Sequence, residues 1–423
     1  MAEIRKYPRT EQDCPAGYKN CDGYIIPDEW SVIRFNSLFK RLTRKNDENN
    51  QNVLTISAQQ GLVSQMDYYN TLYASENKEG YSLLHRGDFS YNKSYSSEYA
   101  YGAIKRLDAY DKGIVSPLYI CFTPQKGTNS DFYLQYFEAG CFNREIYKIA
   151  QEGARNHGLL NVSTEDFFNS MLVFPPLSEQ ERIAEILMQC DKVIELKQKR
   201  IEEEKKKKIW LYRRILTGKT RLKGYDTPWV ETTIGEQVEY LVGYPFESAS
   251  FLNDGIKLLR GSNVKRGNLS WGTDITAYWS EDSSISDYLC QEGDIVIAMD
   301  GAQVGRSFSR IGNNDLPCYL VQRVARLRSN INGLIVQWIG GSRFARHIDQ
   351  RKTSTAIPHM TIKDILSYEI SIPTDEKEIE HISQLLNQQD QFIDLLEKEM
   401  NELCNRKASL AKLLLTGIVR TKV

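Results

Sequence analysis

The sequence is short of the features that mark several common protein classes. Its 423 residues carry no charge excess: 54 lysines and arginines stand against 55 acids, for a net charge of −1. The overall basic footprint usual in nucleic-acid binders is therefore missing, and any such contact must come from local clusters. No apolar run approaches the ~20 residues a membrane helix needs. The opening Met1-Ala2-Glu3-Ile4-Arg5-Lys6 lacks the apolar core of a secretory signal. The expected compartment is cytoplasmic, with no membrane partner. The eight cysteines (Cys14, Cys21, Cys121, Cys141, Cys190, Cys290, Cys318 and Cys404) form no Cys-x-x-Cys pair, and no histidine stands at zinc spacing beside them. Reduced thiols and no metal are expected.

Reaction-centre motifs are equally scarce. Gly218-Lys219-Thr220 imitates the end of a phosphate loop, but the position of its first glycine is Arg213. There is no Gly-x-Gly-x-x-Gly run, and no Asn/Asp-Pro-Pro-Tyr/Phe tetrapeptide of the kind amino-methyltransferases use. Asp191 with Glu195-Leu196-Lys197 resembles a nuclease Asp…Glu-x-Lys set, yet it lies on one helical stretch among Ile194 and Leu196. The five histidines, His85, His157, His347, His359 and His381, offer no nucleophile or ligand set. No catalytic residue is assigned.

What is present is a gapless internal repeat. At an offset of 199 positions, Asp191 meets Asp390, Lys199 meets Lys398 and Glu203 meets Glu402. Leu216-Thr217-Gly218 meets Leu415-Thr416-Gly417, Arg221 meets Arg420 and Trp30 meets Trp229. The repeated stretches are helical in character, since Ser178 to Leu216 contains neither proline nor glycine. Ser178 with Glu181 forms a capping-box signal, and Gly218 and Gly417 fall where a C-terminal glycine cap belongs. The second helix is expected to start near Asp375. In it, Ile382, Leu386, Gln389, Ile393, Leu396, Met400, Leu403, Lys407, Leu410 and Leu414 alternate steps of four and three. The equivalents in the first helix include Ile183, Leu187, Cys190, Ile194, Ile201, Glu204, Leu211 and Ile215. Both read as heptad seams, which favours mutual pairing over two helices each packed on its own domain. About 39 residues per helix would extend roughly 58 Å. The run Glu202-Glu203-Glu204-Lys205-Lys206-Lys207-Lys208 reads as a solvated face.

The remainder forms two blocks that differ in sequence. Short β-type runs occur at 53–57, 114–122 (interrupted at Pro117), 256–259, 294–298 and 321–327, with helices around 131–140 and 333–350. The expected fold class is α+β: two globular domains separated by two long antiparallel coiled-coil helices, with a pseudo-twofold internal repeat. The expected layout is an N-terminal segment 1–29, a first domain 30–177, a helix 178–218, a linker 219–227, a second domain 228–373, a helix 374–417 and a tail 418–423.

Local clusters carry DNA-reading chemistry. Arg34 to Lys45 holds five cations, among them Arg41, Arg44 and Lys45, and no acid; phosphate contact and a solvated amphipathic helix both remain open. Arg323 to Lys352 holds seven cations, including Arg351 and Lys352, against Asp349 alone. Gln59 and Gln60 can present amides to adenine. Arg86, Tyr91, Asn92 and Lys93 form a polar stretch. Arg260, Asn263, Lys265 and Arg266, and likewise Gln303 and Arg306, lie in glycine-punctuated segments that permit tight turns. His359 completes the set of candidate DNA contacts.

Several segments resemble the specificity subunit of type I restriction-modification systems. They are Pro175-Pro176-Leu177-Ser178-Glu179-Gln180-Glu181-Arg182-Ile183-Ala184, the Leu-Thr-Gly helix ends, Gly293-Asp294-Ile295-Val296-Ile297-Ala298-Met299, and Ala356-Ile357-Pro358-His359-Met360-Thr361. Asp375-Glu376-Lys377-Glu378-Ile379-Glu380 departs from the first of these. The resemblance implies that each block is a target recognition domain reading one half of a split double-stranded DNA sequence, and that the helices set the gap. It implies two adenine-N6 methyltransferase subunits docked on the helices, bringing S-adenosylmethionine. It also implies two restriction subunits that supply ATP- and Mg-dependent translocation and cleavage, this chain binding no cofactor itself. A self-contained methyltransferase or nuclease and a coiled-coil scaffold that ignores DNA are the alternatives.

Overall fold

The computed structural model describes residues 14–57, 60–69, 78–94, 99–150 and 160–421. The six opening residues and Gln59 lie outside them. The chain divides into two compact units: Met1–Lys197 with Glu399–Val423, and Gln198–Lys398. The division falls inside the two long helices, Leu177–Ile215 and Glu376–Leu415, rather than at their ends.

In the first unit, a four-stranded antiparallel sheet runs in the order Phe39–Arg41, Ile120–Pro124, Phe89–Asn92, Ala103–Arg106. Phenylalanine fills its core. The Phe35 ring lies 4.9 Å from Phe39, 5.0 Å from Phe122 and 4.8 Å from Phe167. Such tilted and edge-to-face aromatic pairs add about 0.5–1.5 kcal/mol each to the burial of their area. This packing decides the shape of the basic segment at Arg34. It forms one helical turn, Phe35–Leu38, and then a strand, because Phe35, Leu38 and Phe39 all enter the core. The amphipathic-helix alternative is thereby removed.

The second unit repeats this plan in unrelated sequence. Its four-stranded antiparallel sheet runs Glu239–Val242, Val324–Arg328, Ile295–Ala298, Phe308–Arg310, the same order by position in the domain. Each domain is closed by one antiparallel strand pair: Ser31–Arg34 with Met171–Phe174, and Trp229–Thr233 with Glu369–Pro373. The helical segment near 333–350 is two helices, Asn332–Gly340 and Ser342–Asp349, parted at a glycine pair. The strand expected from Val321 begins only at Val324.

The long helices pair antiparallel within each unit. In the first, Ile183, Ala184 and Leu187 share a core with Ala411, Leu414 and Leu415. In the second, Ile215 and Leu216 share one with Ile379, Ile382 and Leu386. Along the seam Ile201, Ile393 and Leu396 are buried, and Ile194, Leu211, Leu403 and Leu410 are half-buried. Repeat-related ion pairs flank it: Asp191 with Lys407 in one unit, Asp390 with Lys208 in the other. Each buried Ile or Leu contributes about 1.5–3 kcal/mol, whereas an exposed ion pair contributes about 0–1. The apolar seam therefore holds the helices and the charges tune register.

The run 202–208 is solvated for the most part, as expected, with Glu202, Glu203, Lys205, Lys206 and Lys207 exposed, but it also reaches the partner helix. Lys205 and Lys208 reach Glu397 and Asp390 on the second helix, and Glu204 turns into the seam to accept from Gln389 Nε2 at 2.9 Å.

The helix ends carry a duplicated anchor. Arg420 grips Glu179 with two nitrogens, at 2.8 and 2.9 Å, and Arg221 grips Glu378 likewise, at 2.8 and 2.6 Å. Gly218 and Gly417 adopt left-handed φ of 65° and 74°, and a Cβ at either would press within 3.3 Å of the Trp229 or Trp30 ring. The first helix starts at Leu177, with Pro176 O accepting from the amides of Glu179 and Gln180, so Ser178 is helical rather than the cap. The second is capped by Asp375, whose Oδ1 accepts from the amides of Lys377 and Glu378.

Candidate nucleic-acid interface

One end of the second domain gathers most of that domain's candidate contacts. The strand Ile295–Ala298 is buried along its whole length and delivers the loop 299–307 to the surface. Three segments meet there through backbone hydrogen bonds. Gly301 N donates to Pro358 O at 3.0 Å, Met360 N to Met299 O at 2.9 Å, and Gly267 N to Phe308 O at 2.7 Å. Gly305 sits at φ 78° against Ile348, where a Cβ would fall 2.9 Å from the Ile348 Cβ. That close approach seats the loop on the helix Ser342–Asp349 and requires glycine.

The structure sorts the candidate side chains on this end. Lys265 and Gln303 are exposed, and neither side chain is held by a described residue. Arg351 is exposed and donates one nitrogen to His347 O at 3.2 Å, with no acidic partner among the described residues. Arg266 donates to Gly340 O at 3.2 Å. Arg306 and Lys352 converge on Asp349, which is held well below the usual carboxylate range, first by the Arg306 hydrogen bond and then by that of Lys352. His359 is locked to Thr353, ring nitrogen to hydroxyl at 2.9 Å. Arg323, Arg343 and Arg346 add exposed cations without an acidic partner among the described residues. The role of Asp349 as a clamp escaped the sequence reading; the available signal was its standing as the lone acid of the patch.

Two candidates here are corrected. Asn263 is fully buried and braces its own loop, accepting from Arg260 N at 3.0 Å and donating to Ser270 O at 3.0 Å. The Arg260 side chain turns back onto Ile275 O and the Phe251 ring, away from the tip. Tight polar loops need internal acceptors, and these residues supply them.

In the first domain the segment 86–94 is a turn and then a core strand, not a loop tip. Tyr91 is 1% exposed, stacks on Phe167 at 5.2 Å and donates to Tyr101 O at 2.9 Å. It therefore leaves the set of DNA candidates. Arg86 is paired with Asp111, and Arg44 with the buried Asp88, at the start of that strand; Asn92 and Lys93 lie at its other end. Asn92 donates to the Tyr119 hydroxyl at 3.2 Å. Lys45 bonds Gly80 O at 3.0 Å. Arg41 and Gln60 are exposed, and no described residue holds their side chains.

The nuclease-like set is structural: Asp191 takes Lys407 and Gln135, Lys197 takes Glu399, and Lys192 reaches Glu195. Among the described residues no group of three or more His, Cys, Asp or Glu could hold a metal, and no helix is long and apolar enough to cross a membrane. The eight cysteines are free thiols.

The comparisons with known proteins agree with this architecture. The family model described as the type I restriction modification DNA specificity domain matches residues 27–205 and again 214–405, and the chain belongs to this family. The chain is 24% identical to the type I restriction enzyme MjaVIII specificity subunit of Methanocaldococcus jannaschii, over 96% of each sequence. It is 30% identical over 151 residues to the EcoAI specificity subunit of Escherichia coli, a match covering 34% of this chain and 26% of that one. The crystal structure of a type I restriction-modification S subunit from M. genitalium is similar in fold, with a TM-score of 0.57 and 13% identity, covering 93% of this chain and 96% of the other. A chain from a structure of type I R-M complex assembly and conformational transition gives a TM-score of 0.54 at 14% identity, covering 94% and 100%.

Proposed function

We propose that this chain is the DNA-sequence specificity subunit of a type I restriction-modification complex, reading a split duplex target with one half-site for each recognition domain. The observation that carries this reading is the loop end of the second domain. Exposed Lys265 and Arg323 on its turns, Arg343 and Arg346 on the helix Ser342–Asp349 and Arg351 just past it have no acidic partner among the described residues, in a chain with no net basic charge. Cations without acids give phosphate affinity; loops of differing side chains beside them give base choice. Two domains of one plan and unlike sequence suit two unlike half-sites.

The chemistry belongs to partners: two adenine-N6 methyltransferase subunits carrying S-adenosylmethionine, and two restriction subunits using ATP and Mg. The repeat supports two like docking surfaces. Val193 and Leu196 in one unit are 50% and 54% exposed, and their counterparts Phe392 and Leu395 in the other are 40% and 52% exposed. Large apolar side chains kept in solvent at repeated positions suit two copies of one partner.

The test is to map methylated adenines in DNA from cells that carry the chain with its methyltransferase. A two-part motif with a fixed gap is expected. Methyl transfer by the purified chain alone, or methylation without a split motif, overturns the reading.

A further inference from the structure

The second domain's loop end contains one acid that its cations leave alone. Asp300 directly follows the buried strand Ile295–Ala298 and Met299, and its backbone pairs with His359 across the meeting of two loops. Asp349 on the same end is taken by Arg306 and Lys352. The half-buried Asp300 carboxylate has no hydrogen-bond or ion-pair partner among the described residues. Gly261 lies opposite, so close that a Cβ there would stand 3.3 Å from Asp300 Oδ1. The acid therefore stands between two glycine loops with its oxygens free.

We propose that Asp300 is a specificity-determining residue of the second half-site, accepting a hydrogen bond from an exocyclic amino group on the major-groove edge of a base. The inference rests on the DNA-reading function proposed above. A carboxylate on a phosphate-facing surface repels the backbone and weakens non-specific binding. The base edge offers it a compensating partner. Carboxylates accept from cytosine N4, and the adenine N6 amino group offers the same donor.

The first domain supplies an internal control. Its equivalent strand begins with the same turn: His85 N donates to Asp88 Oδ2 at 2.7 Å, as Gln291 N donates to Asp294 Oδ2 at 2.7 Å. Counted from those aspartates, Ser94 is the counterpart of Asp300. The loop behind is tied alike, with Leu160 N donating to Lys93 O and Met360 N to Met299 O. One backbone position thus presents a hydroxyl, donor and acceptor, in one domain and an acceptor-only carboxylate in the other. That is the contrast two different half-sites require.

The experiment selects bound duplexes from a random library with the chain assembled on its methyltransferase, for the wild type and for Asp300→Asn and Asp300→Ser. The wild type must first return a split motif; if it does not, the DNA-reading function fails and not this assignment. Given that motif, preference for one cytosine or adenine in the second half-site should fall about tenfold or more in both variants, within the usual range for a good base contact. The first half-site should be unchanged, and affinity for unrelated DNA should rise slightly. Since the carboxylate holds no part of the fold, retention of the other base preferences in the second half-site reports that the second domain is folded. An unchanged second half-site in either variant, or equal loss at every base, overturns the proposal.

Discussion

The two units are built on one plan and differ in where they agree. At the helix ends they agree residue by residue: glutamate gripped by arginine, glycine against tryptophan, aspartate paired with lysine across the seam. A buried glutamine from each domain docks on that seam. Gln135 Nε2 donates to Asp191 at 2.8 Å, and Gln337 Nε2 to Asn387 at 2.7 Å. At the loop ends the described residues share a backbone tie, Leu160 N to Lys93 O and Met360 N to Met299 O, between unlike side chains. Side chains common to both units thus anchor the domains to the helices, while the surface proposed to meet DNA carries unlike ones.

Even the anchor is not identical, which gives the largest expected effect. Trp30 is fully buried and its indole nitrogen donates to Glu179 at 2.8 Å; the Trp229 nitrogen has no hydrogen-bond partner among the described residues. Burial raises the Glu179 pKa, but the hydrogen bonds from Arg420 and Trp30 outweigh it and leave the carboxyl below its ordinary value. Glu179→Ala leaves Arg420 with Glu29 alone and orphans a buried indole N–H, for a loss of about 2–4 kcal/mol. Glu378→Ala frees only an arginine and should cost about 1 kcal/mol less, the value of that single donor. Glu179→Gln, which keeps an acceptor for Trp30, should recover part of the difference. Urea titrations with hydrogen exchange resolved by unit would show it, and equal losses at the two positions would remove Trp30 from the account.

The seam differs in a second, smaller way. Glu204 and Gln389 are buried polar partners in the second unit, where the first has Leu403 and Cys190. Replacing both with leucine should stabilise that helix pair by about 1–2 kcal/mol, because a buried charge pays for desolvation that apolar packing avoids. Acid sharpens the contrast. The Gln389 hydrogen bond, foremost, holds the Glu204 carboxyl below its ordinary 4.5. A carboxyl depressed by folding contributes its stability above that ordinary value and loses it as the pH falls through the folded one. Wild type should therefore lose more second-unit protection between neutral pH and pH 3 than the double leucine variant. Parallel acid titrations of the two would count against the pairing.

The long-range plan was legible in sequence because it is periodic. The offset of 199, the heptad seam and the glycine caps depend only on spacing, and the helices pair as that spacing requires. The strand 256–259 was equally plain, being a short apolar run between turn residues. What spacing cannot report is a partner far along the chain. Arg44 is paired by Asp88, and Arg306 by Asp349, 43 positions away. Tyr91 reads as a polar-loop residue by its neighbours, and only the phenylalanine core makes it structural. Shared topology without shared sequence in the two domains is hidden for the same reason, since sheet order follows from tertiary burial rather than from local pattern.

These pairings separate cations that look alike in sequence, and salt dependence can read the separation. Arg86 is half-exposed but committed to Asp111, at the strand end opposite Asn92 and Lys93. Arg351 faces solvent with only a carbonyl beside it, and Lys352 shares Asp349 with Arg306. Each phosphate contact contributes about 0.9 to the slope of log affinity against log salt. Arg351→Ala should lower that slope by about one and weaken binding several-fold near physiological salt. Lys352→Ala should lower it less, because Asp349 already neutralises part of its charge. Arg86→Ala should leave the slope unchanged and cost less than about 1 kcal/mol of stability, as for other exposed ion pairs. Affinities of the assembled complex for target duplex over a salt series give all three slopes. A drop for Arg86→Ala equal to that for Arg351→Ala would move the DNA-facing surface of the first domain to the strand end that carries Asp88, and would break the match between the two domains' reading ends.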